Sequence, residues 1–147
     1  MPHFCRQFTN GAPIILALLR VSQPRAAALT AAGQQIPPAQ LMNALVDTGA
    51  SCTCVDPTII QALGLTPTGN TSIHTPSTGA TPHFTDQYDA SLRIYSTTTQ
   101  PPLEIPLIPV IASDLHAQGI DALIGRDVLR FCLLNYDGQS EFFTVAF

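Results

Sequence analysis

Ala44-Leu45-Val46-Asp47-Thr48-Gly49-Ala50-Ser51 is an apolar run that stops at an acid, a hydroxyl and a glycine. Its apolar, partly β-branched content reads as a buried strand. Gly49 permits a tight turn and a close backbone approach that a Cβ would block. Asp47 is therefore expected on a loop at the end of a core strand, where a reacting group can be held rigidly.

Asp-Thr-Gly alone is an ordinary turn sequence, met by chance in roughly one chain in ten or twenty of this length. A second apolar run, Ile120-Asp121-Ala122-Leu123-Ile124-Gly125-Arg126-Asp127, also ends in glycine. The pair is much more specific than either half. Together they resemble the signatures of the retropepsin-like aspartic proteases. These are an apolar pair before Asp-Thr/Ser-Gly-Ala/Ser, and later an apolar run before Gly-Arg-Asp/Asn. The resemblance covers the chain from about Pro13 to the C-terminus.

The resemblance implies an all-β, retropepsin-like closed barrel with one or two short helices, active as a homodimer. It divides the chain into an N-terminal arm, 1–12, and a protease domain, 13–147. It implies an aspartic endopeptidase with Asp47 as the catalytic residue. A lone carboxylic acid, with an ordinary pKa near ~4, is ionised at neutral pH and has no proton to give. Two carboxylates about 3 Å apart share one proton, so one serves as base and the other as acid. The chain holds one Asp-Thr-Gly and is too short for two such lobes. The second acid is thus expected from a symmetry mate across a two-fold axis.

The same matching gives Thr48 a hydrogen bond across the dimer, Gly49 a backbone approach to the substrate, and Gly125 close packing on the Asp47 loop. Ala50 stands where some relatives have a serine that lowers the carboxylate pKa, so a pH optimum of roughly 4.5–6.5 is expected. Arg126 matches a structural arginine whose acidic partner in retroviral members falls here on Ser51. Asp127, Glu104 or the C-terminal carboxylate are the alternatives. Leu45, Cys52, Cys54 and Leu123, with Ala50, are expected to line a cleft for an extended peptide. Each is also an ordinary core residue by type. The hairpin tip after His74 and Thr75, with Pro76, Ser77, Thr78 and Gly79, falls where the family carries its flap.

Composition bounds the rest. The 147 residues suffice for one domain with a real core. The net charge is -4 and lysine is absent, which argues against nucleic acid as a partner. No stretch is long enough to span a bilayer, and Pro13–Leu19 lacks the flanks of a signal peptide. Cys5, Cys52, Cys54 and Cys132 match no zinc spacing and are read as reduced, mostly apolar fillers in a cytosolic chain. His3, His74, His83 and His116 are dispersed, so neither a metal nor a cofactor is expected. The size and the start at Met1 point to a free-standing, bacterial-type protein.

Along the chain, residues 1–12 read as a loose arm and Pro13–Ser22 as a first strand. Residues 23–38 stay open between a helical turn and a hairpin loop, with no function assigned. Leu41–Val46 and Ser51–Val55 read as strands flanking the Asp47 loop. Asp56-Pro57 starts a short helix that Gly64 ends. Thr71–Thr75 and Phe84–Tyr95 read as the two strands of the hairpin. Leu103–Ile111, with Pro106 and Pro109, reads as an edge or irregular strand. Arg126–Phe131 reads as a short helix, Cys132–Tyr136 as a strand, Asp137-Gly138 as a hairpin turn and Glu141–Phe147 as the last strand. Two other readings compete with the enzyme: a non-catalytic module of the same fold that dimerises or binds extended peptides, and a monomeric β-domain with a coincidental motif.

Overall fold

The computed structural model describes residues 1–73, 81–96 and 99–147. Among these residues there are ten strands: β1 (His3–Gln7), β2 (Ile14–Val21), β3 (Gln40–Val46), β4 (Cys54–Val55), β5 (Gly69–Ile73), β6 (His83–Ile94), β7 (Leu103–Ala112), β8 (Ala122–Ile124), β9 (Leu133–Asp137) and β10 (Phe142–Ala146). Among the described residues there are three short α-helices: α1 (Gln23–Ala31), α2 (Pro57–Ala62) and α3 (Arg126–Leu129). The third beyond expectation is α1, which resolves the open stretch 23–38 into one helix and a loop. It buries none of its residues, so no apolar stripe announced it.

Strands β2, β3, β8, β4, β7 and β6 pair in that order, and β2 also pairs with β6, so six strands close into a barrel with β5 added to β6. Closure removes the sheet edges. The inner face is built by alternation: Ile15, Ala17, Leu19 and Val21 on β2, then Met42, Ala44 and Val46 on β3. The period of β3 is masked in the sequence because its outward positions include Leu41, which is 58% exposed, and Leu45.

Two proline-bearing turns of the reading resolve differently. β7 is paired with β6 along its length and with β4 only at Ile111 and Ala112. Pro106 and Pro109 lie on the stretch that β4 does not reach, where a missing N–H leaves no gap on that side. At α2 the reading is met: Asp56 caps the helix, Pro57 opens it, and Gly64 follows it at φ +58°.

The loose arm is a correction. Its residues form β1, which pairs with β10 beside β9 in a separate three-stranded sheet. Phe4 is buried and meets Phe143 edge-on at 6.1 Å. Burying that one ring contributes about 2–3 kcal/mol, which adds to the β1–β10 ladder in holding the strand. The Asp137-Gly138 hairpin is also longer than a two-residue turn. It runs Gly138–Glu141, with Asp137 Oδ1 accepting from the N–H groups of Gln139 and Ser140.

Candidate active site

Strand β8 lies between β3 and β4, parallel to the first and antiparallel to the second. The chain therefore leaves β3 at Val46, loops past the end of β8, and returns down β4. Asp47 is the first residue of that loop. Its backbone N–H donates to Ile124 O at 3.0 Å, which ties it to the end of β8. Its carboxylate Oδ1 accepts from the Gly49 N–H at 2.8 Å. A Cβ on Gly49 would stand 3.1 Å from that same oxygen and crowd it. Thr48, Gly49 and Ser51 are exposed, so the loop tip faces solvent.

The segment Gly125-Arg126-Asp127 holds the loop from below. A Cβ on Gly125 would meet the carbonyl carbon and oxygen of Cys52 at 2.6 Å, so only glycine admits this approach. The Arg126 N–H donates to Ala50 O at 2.9 Å, and its Nη1 donates to Thr48 O at 3.0 Å and Gly49 O at 3.2 Å. Arg126 thus binds carbonyls rather than an acid, which corrects the three expected partners. Asp127 accepts from the Thr53 N–H and hydroxyl, each at 2.8 Å. Glu104 is engaged by Arg20 at 2.7 Å and by Arg93.

A cleft of about 450 Å³ opens beside Asp47, lined by Gly49, Ala50, Ser51, Cys52, Cys54, Ile73, Ile111, Ser113 and Leu123. Three of its lining residues, Leu123, Cys54 and Ile111, are cross-strand neighbours in a row that runs on outside the cleft through Leu45, opposite Leu123, to Ile14, opposite Leu45. Register rather than sequence distance brings these five together. Leu45 departs from expectation: it lines an adjoining cavity of about 390 Å³ with Ile14, Asn43, Gln118 and Ile120. Ile73, Ile111 and Ser113 were not foreseen. The only sequence signal was that Ile73 and Ile111 are apolar residues near strand ends. His74, Thr75, Pro76, Ser77, Thr78 and Gly79 lie outside the described residues.

A model of the aspartyl protease family matches residues 38–128, more than half of the chain and including both motifs. The chain belongs to the retropepsin-like aspartyl protease family. A search of curated proteins returns no match. In family terms, the Asp-Thr-Gly loop and the Gly-Arg-Asp segment are one structural unit, the second motif serving as the mount of the first.

Asp56 and Asp121 extend this mount. The buried Asp56 carboxylate accepts from Thr58 N–H and hydroxyl, and from the N–H groups of Leu115 and His116 at 3.0 and 2.9 Å. These donors, Thr58 N–H foremost, hold its pKa down to about 2. Asp121 Oδ2 accepts from Asn43 N–H at 2.8 Å, joining β3 to the approach of β8. All four cysteines are free. Cys5 is exposed, and burial pushes the Cys132 thiol up. Among the described residues, no helix is long and apolar enough to cross a membrane.

Proposed function

We propose that this aspartyl protease is a homodimeric endopeptidase whose dyad consists of Asp47 from each subunit. The observation that carries the reading is the single Asp47-Thr48-Gly49 loop, rigidly mounted yet with Thr48 and Gly49 exposed at its tip. A second copy meeting it at a two-fold axis would set the same acid on both sides. Thr48, at the tip, is the residue placed to bond its mate. Sharing one proton, the pair titrates as a unit.

In the reaction the ionised carboxylate takes a proton from water, whose oxygen attacks the peptide carbonyl carbon. The protonated carboxyl gives its proton to the carbonyl oxygen, forming a diol. Proton return to the amide nitrogen then breaks the C–N bond. Gly49 N–H orients Asp47 through Oδ1. The apolar floor of Leu123, Cys54 and Ile111 favours apolar side chains next to the scissile bond. Ile73, at the end of β5, lines the cleft, and this reading keeps for His74 to Gly79 the flap role that the family resemblance implies. The unpaired cysteines fit a reducing compartment such as the cytoplasm.

The test is cleavage of a complex peptide mixture, read by mass spectrometry from about pH 3 to 8 with Asp47→Asn in parallel. Products peaking at roughly pH 4.5–6.5 and vanishing in the variant are expected. A maximum below about pH 3.5 would contradict the role of Ala50. A folded, dimeric wild type that cleaves nothing would move the peptide-binding module ahead.

A further inference from the structure

Two cysteines line the cleft, Cys54 at the start of β4 and Cys52 two residues before it. Cys52 is half-buried and Cys54 buried. The Cys54 thiol donates to the Cys52 carbonyl oxygen at 3.7 Å. The backbone at Cys52 is pinned, with Gly125 packed against its carbonyl and Thr53 bound twice to Asp127. Cys52 therefore presents its sulfur to the cleft from a fixed position, beside the loop that carries Asp47.

We propose that Cys52 is a thiol–disulfide exchange site that captures a small-molecule disulfide, such as oxidised glutathione, as an adduct filling the cleft. The Cys52 thiolate attacks one sulfur of the disulfide. A new S–S bond forms at Cys52, the old one breaks, and the released thiolate takes a proton from water. A free thiol reverses the step. The adduct itself is independent of the protease reading; its effect on cleavage rests on that reading.

The electrostatics favour attack by Cys52 and not by Cys54. Hydrogen bonds from Cys54 and then from Ser51 lower the Cys52 pKa to about 7, against its burial and the Asp127 charge. The Cys54 thiol is pushed up by its bond to Cys52, by burial, and by the charges of Cys52, Asp127 and Asp47. One thiol thus keeps the proton while the other ionises. A protonated, buried Cys54 does not expel the adduct, and a disulfide between residues two apart is strained. At neutral pH the gain in thiolate is partly offset by the lower nucleophilicity of a more acidic thiol, leaving an advantage of roughly fivefold over an ordinary cysteine.

The test uses the full chain carrying Cys5→Ser, treated with oxidised glutathione at neutral pH and followed by intact mass and peptide mapping. One adduct is expected, on Cys52, forming roughly fivefold or more faster than at Cys132. Cys54→Val should move the midpoint of the Cys52 rate–pH curve upward by about one unit or more. Loss of peptide cleavage should track adduct formation and reverse with dithiothreitol, and Cys52→Ser should make any residual cleavage insensitive to the disulfide. Adducts on Cys132 only, no adduct, or an unmoved rate–pH curve in Cys54→Val would each overturn the site. Full cleavage by the adduct-bearing protein would overturn the blocking of the cleft. A protein that forms the Cys52 adduct but never cleaves peptides would leave the site standing and sink the endopeptidase reading instead.

Discussion

Replacing Asp56 by alanine should lower stability at neutral pH by about 2–4 kcal/mol. Asp56 is 2% exposed and its two oxygens serve four donors: Thr58 N–H and hydroxyl on one, Leu115 and His116 N–H on the other. Losing the helix cap costs about 1 kcal/mol. Stranding the Leu115 and His116 N–H groups costs about 1–3 kcal/mol more. Part of this is tied to charge. The folded pKa is lowered from 3.8 to about 2, an upper limit of about 2.5 kcal/mol. Solvent screening trims that to about 1–2 kcal/mol. Because the folded pKa is depressed, this stability is present above about pH 4–5 and is lost as pH falls toward about 2. Urea unfolding followed by circular dichroism, wild type against Asp56→Ala, should show a gap that is constant from about pH 8 to 5 and narrows below 4. Asp56→Asn, which keeps one accepting oxygen, should show about half the neutral-pH gap. No gap at neutral pH, or a gap unchanged down to about pH 2, would refute the reasoning.

Phe4→Ala should cost about 3–4 kcal/mol in urea unfolding, since the ring is buried against Phe143; a cost under about 1 would restore the loose arm. Gly125→Ala should cost about 1–3 kcal/mol and depress cleavage, because the new methyl meets the Cys52 carbonyl at 2.6 Å. Thr53→Val, nearly isosteric, should lower stability by about 1–3 kcal/mol by removing one bond to Asp127 and stranding the Gly125 N–H, measured by thermal unfolding. Arg126→Met should reduce the cleavage rate on the order of tenfold to a hundredfold through a displaced Asp47 loop, while the folded barrel persists by circular dichroism.

The parts of the fold legible in the sequence were those written locally. Asp56, Pro57 and Gly64 each carry a backbone requirement, and together they bracket α2 as read. What stayed hidden depends on pairings distant in the chain. Nothing within residues 1–12 says that Phe4 will find Val145, its register partner, at the other end of the molecule. The floor of the cleft is of the same kind. Leu123, Cys54 and Ile111 become neighbours only through the register of β8, β4 and β7, which no local pattern encodes. Arg126 shows a third limit. An arginine near several acids invites an ion-pair reading, yet the loop carbonyls of Thr48 and Gly49 lie within reach and take its donors. Carbonyl partners have no signature in sequence, since every residue has one.

The dyad itself is tested most directly by mixing. Wild-type protein is allowed to exchange subunits with a roughly ninefold excess of Asp47→Asn, and cleavage is expressed per wild-type chain. If one Asp47 from each subunit is required, about nine in ten wild-type chains are paired with a dead partner, and activity per chain falls about tenfold. Unchanged activity per wild-type chain after complete exchange would show that a single subunit hydrolyses peptides alone, and would contradict the shared dyad.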